Sequence, residues 1–131
     1  MKKIFVILPI LAGILLLAGC QSDEENLNFY GSSDNWTAEI ITEIIDGSEK
    51  NEIILKYNGD GAGTISKFNY LVENNSNNQS FGANDVSLKE DGTYTNANLA
   101  SNSASTTKDD QIEVTIDWND QTESIILKKK E

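Results

Sequence analysis

The sequence predicts an all-β domain, an antiparallel β-sandwich of the immunoglobulin-like kind with about seven strands, after an N-terminal signal-peptide helix. Three observations lead to this prediction. Short runs of β-branched and aromatic residues recur, turn-forming Gly, Asn, Asp and Ser clusters separate them, and no later segment has the periodicity of an amphipathic helix. A small closed barrel is the alternative, because the Cys…Trp…Cys pattern of true immunoglobulin domains is absent.

The first 19 residues have the three zones of a secretory signal peptide. Lys2 and Lys3 supply positive charge, residues 4–17 are almost entirely apolar, and small residues follow. The apolar run of about fourteen residues is shorter than the roughly twenty that cross a bilayer as a helix, and Pro9 interrupts it. We therefore expect residues 1–19 to be a removed signal peptide rather than a permanent membrane span.

This segment ends in the four residues Leu17-Ala18-Gly19-Cys20. They resemble the lipobox of bacterial lipoproteins, in which signal peptidase cleaves before a cysteine that carries diacylglycerol. The resemblance implies that the peptidase recognises Leu17, Ala18 and Gly19 and that Cys20 is lipidated. As the only cysteine, Cys20 has no partner for an internal disulfide. An unmodified cysteine beside an ordinary cleavage site is the alternative.

The exported part is strongly acidic. Residues 20–27 are predicted to be the lipidated cysteine with a short acidic tether, and residues 28–131 the sandwich domain. Cleavage removes two lysines and changes the formal net charge from −11 to −13. We expect no binding of nucleic acid and no electrostatic adhesion to anionic lipid, since both would repel such a domain. The absence of Arg and the abundance of Asn, Lys, Glu and Ile indicate an AT-rich genome, which is compatible with a Gram-positive source.

The first two predicted strands form a hairpin. Residues 36–45 alternate apolar and polar side chains, then lose this phase where isoleucines come in pairs, which indicates a bulge or burial on both faces. Asp46-Gly47-Ser48 is a turn sequence, and residues 52–57 again place alternate apolar side chains inward.

Three further strands are predicted in the middle of the chain. A glycine-rich break at residues 58–63 precedes the first of them, residues 64–73, which has apolar side chains at period two. Residues 81–88 and 93–97 are shorter strands on either side of a Glu-Asp-Gly turn. The polar stretches 74–80 and 98–111 are predicted loops, which could hold functional residues.

The clearest strand is residues 112–118, where four apolar side chains alternate with polar ones. Residues 119–122 connect it to a last strand, residues 123–128, so a C-terminal hairpin is predicted. Trp36 and Trp118 stand in phase with aliphatic neighbours. We therefore expect both to be core residues rather than platforms for a ligand.

Three segments of the exported part carry a second resemblance. They read Ser-Asp-Asn-Trp at residues 33–36, Ile-Leu-Lys-Tyr-Asn-Gly at residues 54–59 and Val-Thr-Ile-Asp-Trp-Asn at residues 114–119. In these segments the chain is similar to small uncharacterised cell-surface lipoproteins of Bacillus and its relatives. The resemblance implies a place on the cell surface and implies no activity.

Missing residue types limit the chemistry of this chain. Without histidine it cannot build a Ser-His-Asp or Cys-His site, and structural zinc is disfavoured. We expect no catalytic residue, no metal and no cofactor. The alternatives are a carboxylate pair or a Ser-Lys nucleophile of a hydrolase, and a calcium site at the loop Asn58-Gly59-Asp60-Gly61, which lacks the EF-hand spacing.

The function expected from these observations is that of a lipoprotein anchored by Cys20 to the extracytoplasmic face of the cell membrane. It would act there as a non-catalytic binding or accessory module for an envelope protein or an extracellular ligand. A structural envelope lipoprotein without a defined ligand is the main alternative. An exposed strand edge or a sizeable apolar patch would favour the binding module, because monomers rarely leave either uncovered.

Overall fold

The chain folds as a single antiparallel sheet of eight strands. The computed structural model describes residues 24–101 and 105–130. In chain order the strands are β1 (Glu24–Ser32), β2 (Trp36–Ile45), β3 (Ser48–Tyr57), β4 (Phe68–Asn74), β5 (Gln79–Val86), β6 (Thr93–Ser101), β7 (Ile112–Trp118) and β8 (Gln121–Lys129). Across the sheet they lie in the order β5-β4-β7-β8-β1-β2-β3-β6. The described residues contain no helix beyond one 3-10 turn at Ala62–Thr64.

The predicted all-β antiparallel class is confirmed, whereas the strand count differs: eight strands, in one curled sheet, stand where about seven were predicted. The additional strand is β1, whose first half is polar and lies within the predicted tether 20–27. Its alternation starts only at Leu27 and Phe29, which are both buried. β1 forms because β2 pairs with it over its whole length, from Glu24 opposite Ile45 to Ser32 opposite Thr37. Tertiary pairing thus fixed a segment that the local sequence pattern did not indicate.

The core lies inside the curl of the sheet. Trp36 on β2 contacts Phe68 on β4 and Trp118 on β7, with ring centroids 5.2 and 5.6 Å apart. These contacts join the two halves of the sheet, β1-β2-β3-β6 and β5-β4-β7-β8. Trp36 is 0% exposed and Trp118 4%, so their predicted role as core residues is confirmed.

The two halves meet where β1 pairs with β8. This pairing is short, with Phe29 opposite Lys129 and Tyr30 opposite Lys128. Next to it Gly31 is buried, and a Cβ at this position would press against the carbonyl oxygen of Ile126. A glycine is therefore required here for the backbones of β1 and β8 to approach each other.

Both predicted hairpins are present, and both turns are tight. Asp46 and Gly47 connect β2 to β3 with φ of 50° and 82°, and Asn119 and Asp120 connect β7 to β8 with φ of 44° and 60°. Two positive φ values are the geometry of a type I′ turn, which matches the twist of the flanking strands. The second turn is shorter than the predicted connection 119–122, because β8 already begins at Gln121.

Of the two explanations predicted for the lost phase in residues 36–45, a bulge or burial on both faces, the bulge is wrong, since β2 pairs with β1 and with β3 without a shift of register. Instead, Ile41 is half-buried on the outer face. The bulges lie on the two edge strands. Asn84 and Asp85 of β5 stand opposite a single residue of β4, and Ala97 and Asn98 of β6 stand opposite a single residue of β3.

Candidate functional site

The residues predicted from the sequence to be functional precede the folded domain. Leu17, Ala18, Gly19 and Cys20, together with the predicted signal-peptide helix, lie outside the described residues. The first described residue, Glu24, already belongs to β1. In the described ranges no helix has the length and apolarity needed to cross a membrane.

The point where the chain enters β1 marks one end of the sheet, called here the proximal end. Glu24 pairs with Ile45, which pairs with Ser48, and the next residue of β3, Glu49, pairs with Ser101. The β2–β3 turn, the β4–β5 turn and the segment 105–111 lie at this same end.

The two edge strands of the sheet come near each other without pairing. β6 packs on β4 through Tyr94, whose ring lies 5.6 Å from that of Phe68 and 5.4 Å from that of Tyr70. Since β4 pairs with β5, this contact brings β6 to the side of the sheet where β5 lies, and residues of both strands line one cavity. No ladder joins them among the described residues. The gap between β5 and β6 is called the seam below.

The core is least covered along the seam. Most of the half-buried apolar residues around the core belong to β5, to β6 or to the loop between them: Phe81, Ala83, Val86, Leu88, Tyr94 and Leu99. Only Ile44 and Tyr57 lie elsewhere. Pairing of β5 with β6 would have covered these side chains. The open seam therefore leaves apolar surface in contact with water.

A cavity of about 430 Å³ opens at the proximal end of the seam. It is lined by Glu49, Asn51, Asn78, Gln79, Ser80, Phe81 and Leu99. Two of these side chains are apolar, four are amides or a hydroxyl, and one is a carboxylate. None of the described residues that line the cavity is a lysine, so this lining suits neutral polar or apolar groups better than phosphate or other anions.

The buried carboxylate of Glu49 fixes the floor of the cavity. Glu49 is 1% exposed. Its Oε1 accepts the backbone N–H of Thr106 at 2.9 Å, and its Oε2 accepts the side-chain amide of Asn51, also at 2.9 Å. Asn51 in turn accepts the hydroxyl of Thr42 at 2.6 Å. These hydrogen bonds tie the segment 105–111 to the start of β3, because a buried polar group needs hydrogen-bond partners.

A second buried carboxylate holds the other side of this segment. Asp110 is 7% exposed. It accepts the side-chain amide of Asn74 at 2.8 Å and the hydroxyl of Thr107 at 2.8 Å. Burial raises the pKa of Asp110, but these hydrogen bonds outweigh it and hold the pKa below its usual value. Asp110 therefore stays ionised and serves as an acceptor.

The sequence analysis did not single out these polar residues, although the strand pattern contains them. Thr42 continues the inward alternation of β2, Asn51 and Glu49 that of β3, and Asn74 that of β4. Each lies inward in the proximal half of its strand, and in β3 and β4 these residues lie beyond the buried apolar ones. Thr42 lies within the predicted strand 36–45, and extending the predicted strands 52–57 and 64–73 by one to three residues at period two would have placed Asn51, Glu49 and Asn74 inside the sheet.

The opposite end of the sheet is held by Glu123 of β8. Its Oε1 accepts the hydroxyl of Ser33 at 2.5 Å and the backbone N–H of Asn35 at 3.0 Å, and its Oε2 accepts the side-chain amide of Asn35 at 2.5 Å. Burial raises the pKa of Glu123, but the hydrogen bonds from Asn35 and Ser33 hold the pKa below its usual value. This carboxylate joins the β1–β2 turn to the other half of the sheet.

Acid will destabilise the fold through these two carboxylates. The ordinary pKa is 4.5 for Glu123 and 3.8 for Asp110, and in the folded state the pKa of each group lies below that value. The stabilisation is therefore complete above the ordinary values and is lost as the pH falls through the lower folded-state values. Urea unfolding between about pH 6 and pH 2 should show this loss, and Glu123→Gln should flatten it.

The matched control is Glu113→Gln, because the carboxyl of Glu113 lies on the outer face of β7 and makes no hydrogen bond within the described residues. If Glu123→Gln and Glu113→Gln change the pH profile equally, the hydrogen bonds to Glu123 do not account for the acid sensitivity.

Other surfaces of the domain are weaker candidates for a binding site. A cavity of about 560 Å³ lies between Lys108, Asp109, Asp110, Gln111, Lys128 and Lys129, and it mixes both signs of charge. In the loop proposed for calcium, the Asn58 amide bonds the hydroxyl of Thr37 at 2.8 Å. Among the described residues no group of three or more Asp, Glu, His or Cys could hold a metal ion. The seam is therefore the strongest candidate site.

In comparisons with known proteins, no protein-family model, no curated protein and no solved structure matches this chain significantly.

Proposed function

We propose that this chain is a lipid-anchored extracytoplasmic lipoprotein that acts as a non-catalytic binding module and takes its ligand at the seam. The observation that carries the binding function is that β5 and β6, the two edge strands, each leave one side without a neighbouring described strand, beside a cavity of about 430 Å³. Edges and apolar surface of this kind are normally covered in a monomer. A structural lipoprotein without a ligand has no need of them.

The anchor would be Cys20, as the resemblance of residues 17–20 to a lipobox implies. Only residues 21–23 separate Cys20 from the start of β1 at Glu24. At no more than 3.6 Å per residue, the proximal end would then lie within about 14 Å of the lipid. The cavity of the seam opens at that same end. The ligand would accordingly be met close to the membrane surface, on an envelope protein or another membrane-bound molecule.

We further propose that the two halves of the curled sheet act as the two layers of a sandwich. The contacts of Trp36 with Phe68 and Trp118 support this arrangement, because each joins β2 to a strand of the opposite half. The hydrogen bonds from Ser33 and Asn35 to Glu123, at the end opposite the proximal end, also join the two halves and support it.

Replacing Cys20 by alanine should release the protein from the membrane. The variant lacks the thiol that would accept diacylglycerol, and a domain of this negative charge has no electrostatic affinity for anionic lipid. The measurement is fractionation of cells that produce either form, followed by detection of the protein. Ser22→Ala, two residues away, is the control and should remain with the membrane. A Cys20→Ala protein that still sediments with membranes would contradict the anchor.

Binding at the seam can be tested in intact cells by site-specific photo-crosslinking. A benzophenone side chain at Ser80, which is exposed on β5 and lines the cavity, should form adducts. The same side chain at Ser124, which is exposed on the internal strand β8, is the control. The absence of any adduct from Ser80, or equal adducts from both positions, would favour the structural lipoprotein without a ligand.

A further inference from the structure

We infer that the regular part of the β5 edge, residues 79–83, takes up one extended, non-acidic polypeptide segment of another protein as an added strand. This inference rests on the proposed function, since it specifies the ligand of the same seam. It names the chemical class of the ligand and the strand on which that ligand binds.

The unpaired side of β5 presents backbone groups to the ligand. Among the strands that the structure describes, β5 pairs only with β4, from Gln79 opposite Asn74 to Val86 opposite Phe68. The N–H and C=O groups on its other side therefore have no strand beside them. An extended backbone has the donor and acceptor spacing that satisfies such a row, and strand addition is a common mode of peptide recognition.

The two bulges determine which stretch is available. The bulge at Asn84 and Asp85 ends the regular part of β5, where Asp85 has φ of 56° and its N–H bonds the side chain of Asn69. The bulge at Ala97 and Asn98 divides β6 into two shorter regular parts, of four and three residues. Residues 79–83 form five regular residues in a row and are the longest free edge.

This stretch lacks the features that normally protect an edge from pairing. Natural sheets place lysine or other charged residues, or proline, on exposed edges. Residues 79–83 read Gln-Ser-Phe-Gly-Ala, and none of the chain's lysines lies in β5 or β6. Gly82 cannot be larger, because a Cβ there would press against the carbonyl oxygen of Tyr70 on β4. The outward-facing residues of this stretch, Ser80 and Gly82, are therefore small and uncharged.

The cavity beside this stretch sets the character of the added segment. Side chains at alternate positions of an added strand would point inward, toward Phe81 and Leu99. Glu49 lies in the same lining, and its oxygens already accept hydrogen bonds from Asn51 and Thr106. An acidic side chain would be repelled there, whereas apolar or amide side chains would fit. The acidic charge of the whole domain disfavours acidic segments in the same way.

Selection of peptides on the full-length lipidated protein, held in detergent, tests the inference. The probe is a displayed library of random eight-residue peptides, and the peptide selected from it is then made with and without N-methyl groups on alternate backbone amides. We expect binding to slow hydrogen exchange at residues 79–83 and N-methylation in one of the two registers to weaken binding by about tenfold or more. Ser80→Lys should weaken binding by a similar factor, since it places a charge on the edge. Ser124→Lys is the matched control and should change binding less than about twofold.

Several results would overturn the inference. They are enrichment of no peptide, enrichment of acidic peptides, binding that N-methylation weakens in neither of the two registers, and protection of strands other than β5. Circular dichroism of the Ser80→Lys protein confirms that lost binding is not lost folding. Photo-adducts at Ser80 that contain a saccharide, a lipid or a second copy of this chain would also refute it, while leaving the seam as a binding site. Absence of any adduct would instead refute the proposed function itself.

Discussion

Replacing Trp36 by alanine should lower the free energy of unfolding by about 3–5 kcal/mol, the range observed when a buried aromatic residue is removed from a core. Trp36 is fully buried and contacts Tyr57, Phe68 and Trp118 at centroid distances of 5.3, 5.2 and 5.6 Å. Its partners lie on β3, β4 and β7, so the indole connects both halves of the sheet. No other single side chain removal should cost more.

Urea unfolding followed by circular dichroism measures this loss. Ile126→Ala is the control, since Ile126 is 45% exposed on the outer face of β8 and should change stability by less than about 0.5 kcal/mol. Trp36→Phe gives a graded comparison. It keeps an aromatic ring and removes the indole N–H, which is buried without a hydrogen-bond partner among the described residues. A Trp36→Ala protein as stable as Ile126→Ala would refute the central position of this residue.

The second large effect is expected at Gly31, where alanine should destabilise the fold by roughly 2–3 kcal/mol. The added methyl group would meet the carbonyl oxygen of Ile126 and, at 3.0 Å, the side chain of Ile125. The obstacle is backbone, so β1 and β8 would have to separate. Their pairing is limited to two residue pairs and, within residues 24–101 and 105–130, is the only ladder between the two halves.

A matched control exists for this substitution. Gly63 has no atom within 4 Å of an added Cβ, and its φ is not positive, so Gly63→Ala should be neutral to within about 0.5 kcal/mol. The midpoint of urea unfolding distinguishes the two variants. Equal midpoints for Gly31→Ala and Gly63→Ala would mean that β1 and β8 can separate without cost, and that the sheet does not depend on their close approach.

Much of the fold could be predicted because strands with one buried face have a period of two. Residues 112–118 form β7 with the predicted bounds, and β2 spans residues 36–45 as predicted. The turn at Asp46 and Gly47 was predictable as well, since these residue types accept positive φ. The polar proximal part of the sheet was missed because Glu49, Asn51 and Asn74 follow the inward phase without being apolar.

The candidate site could not be predicted in the same way. Neither edge strand stands out in the sequence: β5 contains Asn, Gly and Asp, and β6 is rich in Thr and Asn. Whether such a strand is internal or an edge depends on which strands lie beside it. That neighbourhood is set by pairs far apart in the chain, such as Asn74 with Asp110 and Glu49 with Thr106.

The sequence by itself determined the all-β class, the two hairpins, the aromatic core around Trp36 and the negative charge of the domain, because each depends on local periodicity or on composition. It also supplies the resemblance of residues 17–20 to a lipobox, on which the proposed anchor rests. Only the tertiary structure decided that β1 begins at Glu24, that β8 pairs with β1 beside Gly31, and that β5 and β6 are edge strands that do not pair with each other. These features depend on long-range pairing and on the curl of the sheet, for which neighbouring residues in the chain carry no pattern.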